Sequence, residues 1–135
     1  CISSAASDVY KRQALSGNIL PNHWSVPTWE DWNILKTYLK EDASLLKSGT
    51  WLPLNTGDTA EPATNWSGFD GIPVGMYVGT FQLNYEGKYL AYWTLDETNS
   101  EIAETVFYLK SDTNLIESSK AGTDKKALAI RCIRK

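Results

Sequence analysis

Trp32, Leu35, Leu39 and Leu46 recur at near-helical spacing, and the residues ahead of them are built to start a helix. Thr28 stands at the N-cap position with Asp31 three residues on, which is close to a capping box. Pro27 precedes the cap, where a residue need not donate a hydrogen bond to the helix. Glu30 and Asp31 put negative charge into the first turn, where the helix dipole favours it. The pattern therefore predicts a helix from about Trp29 to about Glu41. Trp32, at the fourth helical position, can fold back onto Val26-Pro27, and Trp24 reaches the same core from the extended segment before it. Trp29, at the first helical position, is predicted to be partly exposed.

Downstream the period changes. Residues 50–75, TWLPLNTGDTAEPATNWSGFDGIPVG, are rich in Gly, Pro, Thr, Asn and Asp and read as long irregular loops. After them the apolar positions alternate, or nearly so, in MYVGTFQL (76–83), KYLAYWTL (88–95), AETVFYLK (103–110) and ALAIRCIRK (127–135), which predicts four strands. Trp93 falls mid-strand and is predicted core. In the last run Leu128, Ile130 and Cys132 face one way, with Ala129, Arg131 and Ile133 facing the other. Short polar connections such as NYEG (84–87) suggest an antiparallel meander. The expectation is an α+β domain: one main N-terminal helix, a long irregular loop region, and an antiparallel sheet closed by the C-terminal strand.

A chain of 135 residues suits one domain. The net charge of −3, with no arginine-rich run or basic stripe, argues against a phosphate-backbone partner, so no nucleic acid is expected. No apolar run approaches the ~20 residues of a membrane span. The opening run CISSAASDVYKRQ (1–13) resembles translated adapter sequence of the kind found in metagenome-derived chains. It is set apart from the domain, which is taken as residues 14–135. The rival reading of Cys1, the lipid-bearing first residue of a mature lipoprotein, accounts for that one residue alone. On the adapter reading the native N-terminus, with any export signal, lies outside the sequence, and Cys132 has no native disulfide partner. No Cys/His spacing suggests zinc, and no cofactor or metal is expected.

Several motifs now carry a resemblance. WSVPTWEDW (24–32) followed by Leu35 resembles the helix-start motif of the Fibrobacter succinogenes major paralogous domain, typically Trp-Arg-Leu-Pro-Thr, two variable residues, then Glu-Trp. LKSGTW (46–51), NWSGFDGIPVGMY (65–77), AYWTLDE (91–97) and ALAIRCIRK (127–135) resemble its later signatures, in the same order, over about residues 19–135. Ser25 departs from the usual Arg, Asp31 from Glu, and His23 from a common Gly. Leu20 lies where many members carry a Cys that could pair with the one in the terminal strand, so Cys132 is expected to be a buried free thiol. The resemblance implies a C-type-lectin-like fold in exported bacterial proteins, often lipoproteins at the cell surface. The helix-start motif is also shared with the formylglycine-generating sulfatase-modifying enzymes. Trp24, Pro27, Thr28, Trp32, Trp93 and Cys132 are accordingly assigned to architecture, with the tryptophans locking the helix against the sheet.

Candidate chemistry is sparse. A nucleophile needs a base beside it that a third group orients, and His23 is the single histidine. It reads as a loop residue bonded locally. Cys132, among Leu128 and Ile130, lacks the electropositive setting of a reactive thiolate, and the paired-cysteine site of the sulfatase-modifying enzymes cannot be built from it. Carboxylates at Asp58/Glu61, Asp96/Glu97 and Glu101/Glu104 read as surface rows. EPATNW (61–66) faintly resembles calcium-dependent lectin elements, with deviant spacing and residue types. No catalytic residue is assigned. The best ligand candidates are loop aromatics near amides and carboxylates: Trp66 with Asn65 and Asp70, then Trp29. The competing reading has Trp66 and Phe69 plugging the loop into the core. The expectation is a non-enzymatic surface module that binds an unassigned glycan or protein. The alternatives are a degenerate sulfatase-modifying relative and a purely structural domain of a larger surface protein.

Overall fold

The computed structural model describes residues 20–78, 82–96, 101–120 and 126–135. Residues 1–13, the segment read as foreign, lie outside the described residues, as do Cys1 and Glu97. One helix and a set of antiparallel strands make an α+β domain. Helix α1 spans Trp29–Tyr38. Thr28 is its N-cap: Asp31 N donates to Thr28 Oγ1 at 3.2 Å, and Thr28 N donates to Asp31 Oδ2 at 2.9 Å, completing the capping box. The helix stops short of Glu41 because Lys40 and Glu41 both take left-handed backbone conformations. Leu46 therefore belongs not to the helix but to the end of a separate 3-10 turn, Ala43–Leu45, started by Asp42.

Strand β1 is Trp24–Ser25, β2 Met76–Val78, β3 Gln82–Asn84, β4 Tyr89–Asp96, β5 Glu101–Lys110, β6 Glu117–Lys120, β7 Lys126–Ala127 and β8 Ile133–Arg134. They form three sheets, ordered β1-β8, β3-β2-β7 and β4-β5-β6. The predicted strand 76–83 is thus two strands paired with each other, with Tyr77 opposite Leu83. NYEG is not a hairpin within one sheet but a corner between two. Tyr85 and Gly87 take positive φ there, and Tyr85 O accepts from both Lys88 N and Tyr89 N. No sheet is closed. The predicted terminal strand 127–135 survives only as β7, β8 and a single parallel bridge from Ala129 to Tyr92.

In the central sheet β4-β5-β6, residues 90–94 of β4 and 106–109 of β5 are buried on both faces, while Ser118 and Ser119 of β6 are exposed, and the alternation of β4 and β5 sorts side chains into two cores. Ala91, Trp93, Val106 and Tyr108 pack with Val26, Met76, Leu128 and Ile130. Leu90, Tyr92, Phe107 and Leu109 pack on the opposite face with Trp32, Leu39, Leu46, Trp51 and Ile116. Burial on both sides explains why these strands read as nearly continuous apolar runs. Trp32 and Trp93 are each 3% exposed, as the pattern predicts. Trp24 corrects its prediction. It is 43% exposed, because it lies on a two-residue edge pair opposite Arg134 rather than over the core. Cys132 packs beside the first cluster but is only half-buried and lies outside any strand. Gly75 links two sheets: its N–H donates to Tyr89 O at 2.8 Å, and a Cβ there would stand 2.6 Å from Asn84 O.

Candidate functional site

Residues 50–75 contain no helix or paired strand, in keeping with their Gly- and Pro-rich composition. Their backbone is nevertheless held. Thr64 N and Asn65 N donate to Ser44 O, and both Ser67 N and Ser67 Oγ donate to Leu45 O. The 3-10 turn thus offers its outward carbonyls as a rail for the loop. At the tip, Asn65 and Asp70 adopt left-handed φ values of 49° and 57°, a conformation that Asn and Asp tolerate better than most residues. Their side chains close the loop: Asn65 Nδ2 donates to Asp70 Oδ1 at 2.6 Å and Asp70 N donates to Asn65 Oδ1 at 2.9 Å.

Between these two clamps, Trp66 and Phe69 diverge. Trp66 is 76% exposed. Phe69 enters the second core edge-on, 6.3 Å from Trp32 and 5.9 Å from Tyr92, with the Arg131 guanidinium 4.3 Å above its ring. Phe69 alone is therefore the core plug. Asn65 spends a donor and an acceptor inside the loop, which makes it a positioning group more than a free ligand contact. Trp29 is half-buried and packs against the second cluster, so most of its ring is committed to the fold.

Glu61 and Asn65, the residues of the faint lectin element, have separate partners: Glu61 Oε2 accepts from Asn114 Nδ2 at 3.0 Å, while Asn65 bonds Asp70. Among the described residues no group of three or more His, Cys, Asp or Glu side chains is placed to hold a metal ion. His23 is exposed on the turn before β1, where its carbonyl accepts from Lys135 N. Burial pushes the Cys132 thiol up, opposed by Arg131, which is the reverse of what activates a thiolate. Tyr92, buried under Phe69, has its phenol pushed up by burial, with Arg131 opposing through charge and a hydrogen bond.

The chain matches the model of the Fibrobacter succinogenes major domain over residues 4–134. It belongs to that family. No curated protein and no solved structure gives a significant match. The five motifs of this Fibrobacter succinogenes major domain now have positions. The helix start and the AYWTLDE strand meet directly: Leu95 N donates to Pro27 O at 2.9 Å, and Thr28 bridges Leu95. LKSGTW and the Gly-Phe loop meet at Lys47 and Gly71, where Ser48 N donates to Gly71 O. The terminal motif joins the AYWTLDE strand through Ala129.

Two features of this domain escape its sequence pattern. One is an open groove of about 420 Å³ lined by Thr50, Leu52, Ile72, Pro73, Glu86 and Gly87. It gathers three separate segments, which no local pattern reveals. The other is Lys47, whose side chain has no exposed surface. Its signal was legible in hindsight, as a lone cation between Leu45-Leu46 and Trp51. No helix among the described residues is long and apolar enough to cross a membrane.

Proposed function

We propose that this Fibrobacter succinogenes major domain is a non-catalytic binding module of C-type-lectin-like architecture, exported and displayed at a bacterial surface. The loop 61–70 is its ligand platform. The observation that carries this reading is the pairing of exposure with rigidity at Trp66. Two hydrogen bonds between Asn65 and Asp70 close the backbone that presents this exposed ring. A ring carried on a backbone that is already held costs less ordering entropy when a ligand stacks on it. A flat sugar face or an extended peptide meets such a ring on one side. Asp70 then offers its second carboxylate oxygen at the edge, while Asn65 positions the pair. Trp29, mostly committed to the core, has at most a flanking role.

The test is a glycan and peptide binding screen followed by calorimetry on Trp66→Ala. Loss of binding with an unchanged unfolding midpoint supports the platform. Retained binding by a folded Trp66→Ala protein removes Trp66 from the site and the reading with it.

A further inference from the structure

Lys47 has the largest of the fully buried side chains among the described residues. Its Nζ donates to Thr113 O at 2.7 Å and lies 5.1 Å from the centre of the Trp51 ring. An ammonium carries three donors, and among the described residues Lys47 makes no ion pair. Burial pushes the amine below the ordinary lysine range, while the negative charges of Glu61, Asp112 and Asp42 act in the opposite sense. A desolvated lysine of this kind is drawn toward its neutral, nucleophilic form.

The residue after Thr113 is Asn114. Its Nδ2 donates to Glu61 Oε2 at 3.0 Å, and its Oδ1 is buried without a hydrogen-bond partner. The turn that carries it is fixed from three sides. Ala43 N donates to Asn114 O, Glu61 N donates to Ser111 O, and Ser111 N donates to Lys88 O. A desolvated amine bonded to the carbonyl of Thr113, the carboxamide of the next residue, and a carboxylate bonded to that carboxamide are thus brought to one half-buried turn. Neither of the other carboxylates near Lys47 suits the same role. Asp112 is exposed, and Asp42 is occupied in capping the 3-10 turn through Ser44 N.

We propose that Lys47 and Asn114 join in an intramolecular isopeptide bond, with Glu61 as the acid–base group. The Lys47 ammonium, which makes no ion pair with Glu61 in the resting arrangement, gives a proton to it once the two side chains close together and becomes an amine. Nζ then attacks Cγ of Asn114, and the carbonyl electron pair moves to Oδ1. A proton passes from Nζ through Glu61 to Nδ2. The carbonyl re-forms, the Cγ–Nδ2 bond breaks, and ammonia leaves, taking a proton to become ammonium. One ammonium and one carboxamide have become one secondary amide and a free ammonium ion. No oxidant, cofactor or second substrate is needed. The bond would tether the start of the long loop to the turn after β5, sixty-seven residues away along the chain. The proposal does not depend on what the Trp66 loop binds.

Intact-protein mass spectrometry tests it on the full chain, beside Lys47→Met, Glu61→Gln and Asn114→Asp. The wild-type protein should be lighter than its sequence mass by one ammonia. A digest should contain the peptide bearing Lys47 joined to the one bearing Asn114. Lys47→Met and Glu61→Gln should keep their full mass, and Asn114→Asp should lose one water instead. Should the first two variants not fold, the joined peptide in the wild-type digest decides alone. A wild-type protein at full mass after prolonged incubation overturns the proposal. So does an ammonia loss that persists in Lys47→Met, since a cyclised asparagine would account for it.

Discussion

Trp66 and Phe69 stand three residues apart in one loop and do opposite things, and their substitution should separate them. Trp32, stacked 4.2 Å from Phe107 and 5.6 Å from Tyr92, should cost ~3–5 kcal/mol when truncated to Ala. Trp66→Ala should stay within about 0.5 kcal/mol of wild type, as exposed substitutions do. Denaturant unfolding of both variants measures the contrast, and comparable losses would show that the loop ring is structural after all. Tyr92 gives a pH signature. Burial raises its folded pKa above the ordinary value of 10.0, so its stabilising contribution is complete below pH 10.0. It is lost as pH rises through the folded value, because the unfolded chain releases the proton first. Tyr92→Phe should therefore lose less stability than wild type between neutral and strongly alkaline pH, as followed by urea unfolding. At this scale the sequence was informative where period and burial coincide. Trp32 and Trp93 were legible because helical spacing and strand alternation point them inward. Trp24 was not, because a two-residue edge pair carries no periodicity. The division of labour between Trp66 and Phe69 was open for a related reason: irregular loops have no period to say which ring turns in.

Helix α1 depends on its first turn more than on its length. Thr28 is 2% exposed, serves as both cap donor and acceptor, and bridges Leu95 of β4 through its backbone. Thr28→Ala removes the capping hydroxyl and leaves Asp31 N without its acceptor. A loss toward the upper end of the ~0.5–2 kcal/mol range for caps is expected, read by thermal or denaturant unfolding. Thr28→Ser should recover most of it. The cap was legible from Thr28 and Asp31 alone, since a capping box is local chemistry. Strand pairing is not local. The run 76–83 nearly alternates, yet β2 and the start of β3 fall within it and pair with each other, and alternation carries no information on where a strand ends. In 127–135 the alternation is real but has another cause. Leu128 and Ile130 face the first core and Ala129 the second, so an extended segment between two cores imitates a half-buried strand. β6, Glu117–Lys120, was missed because ESSK has no apolar residue to announce it.

At the scale of the whole molecule, the fold is a central sheet with a core on each face, and its loop region is held by carbonyl rails and side-chain clamps. The loop proposed as a binding surface is already closed by Asn65–Asp70 and Asn114–Glu61, hydrogen bonds that involve no ion. Millimolar calcium should therefore leave the melting temperature unchanged in differential scanning fluorimetry, and a clear rise would count against this account. The β1-β8 pair raises a different matter. Trp24 lies opposite Arg134, Ser25 opposite Ile133, and Lys135 N donates to His23 O, so Leu20–His23 and Lys135 lie at the same end of the pair. A stretching load applied at those two points peels the pair open one hydrogen bond at a time, the weakest way to load a ladder. Single-molecule pulling should show an early, low-force release of the pair before β4 and β5 separate. That order of events would make the pair a mechanical fuse, yielding first and sparing the cores behind it.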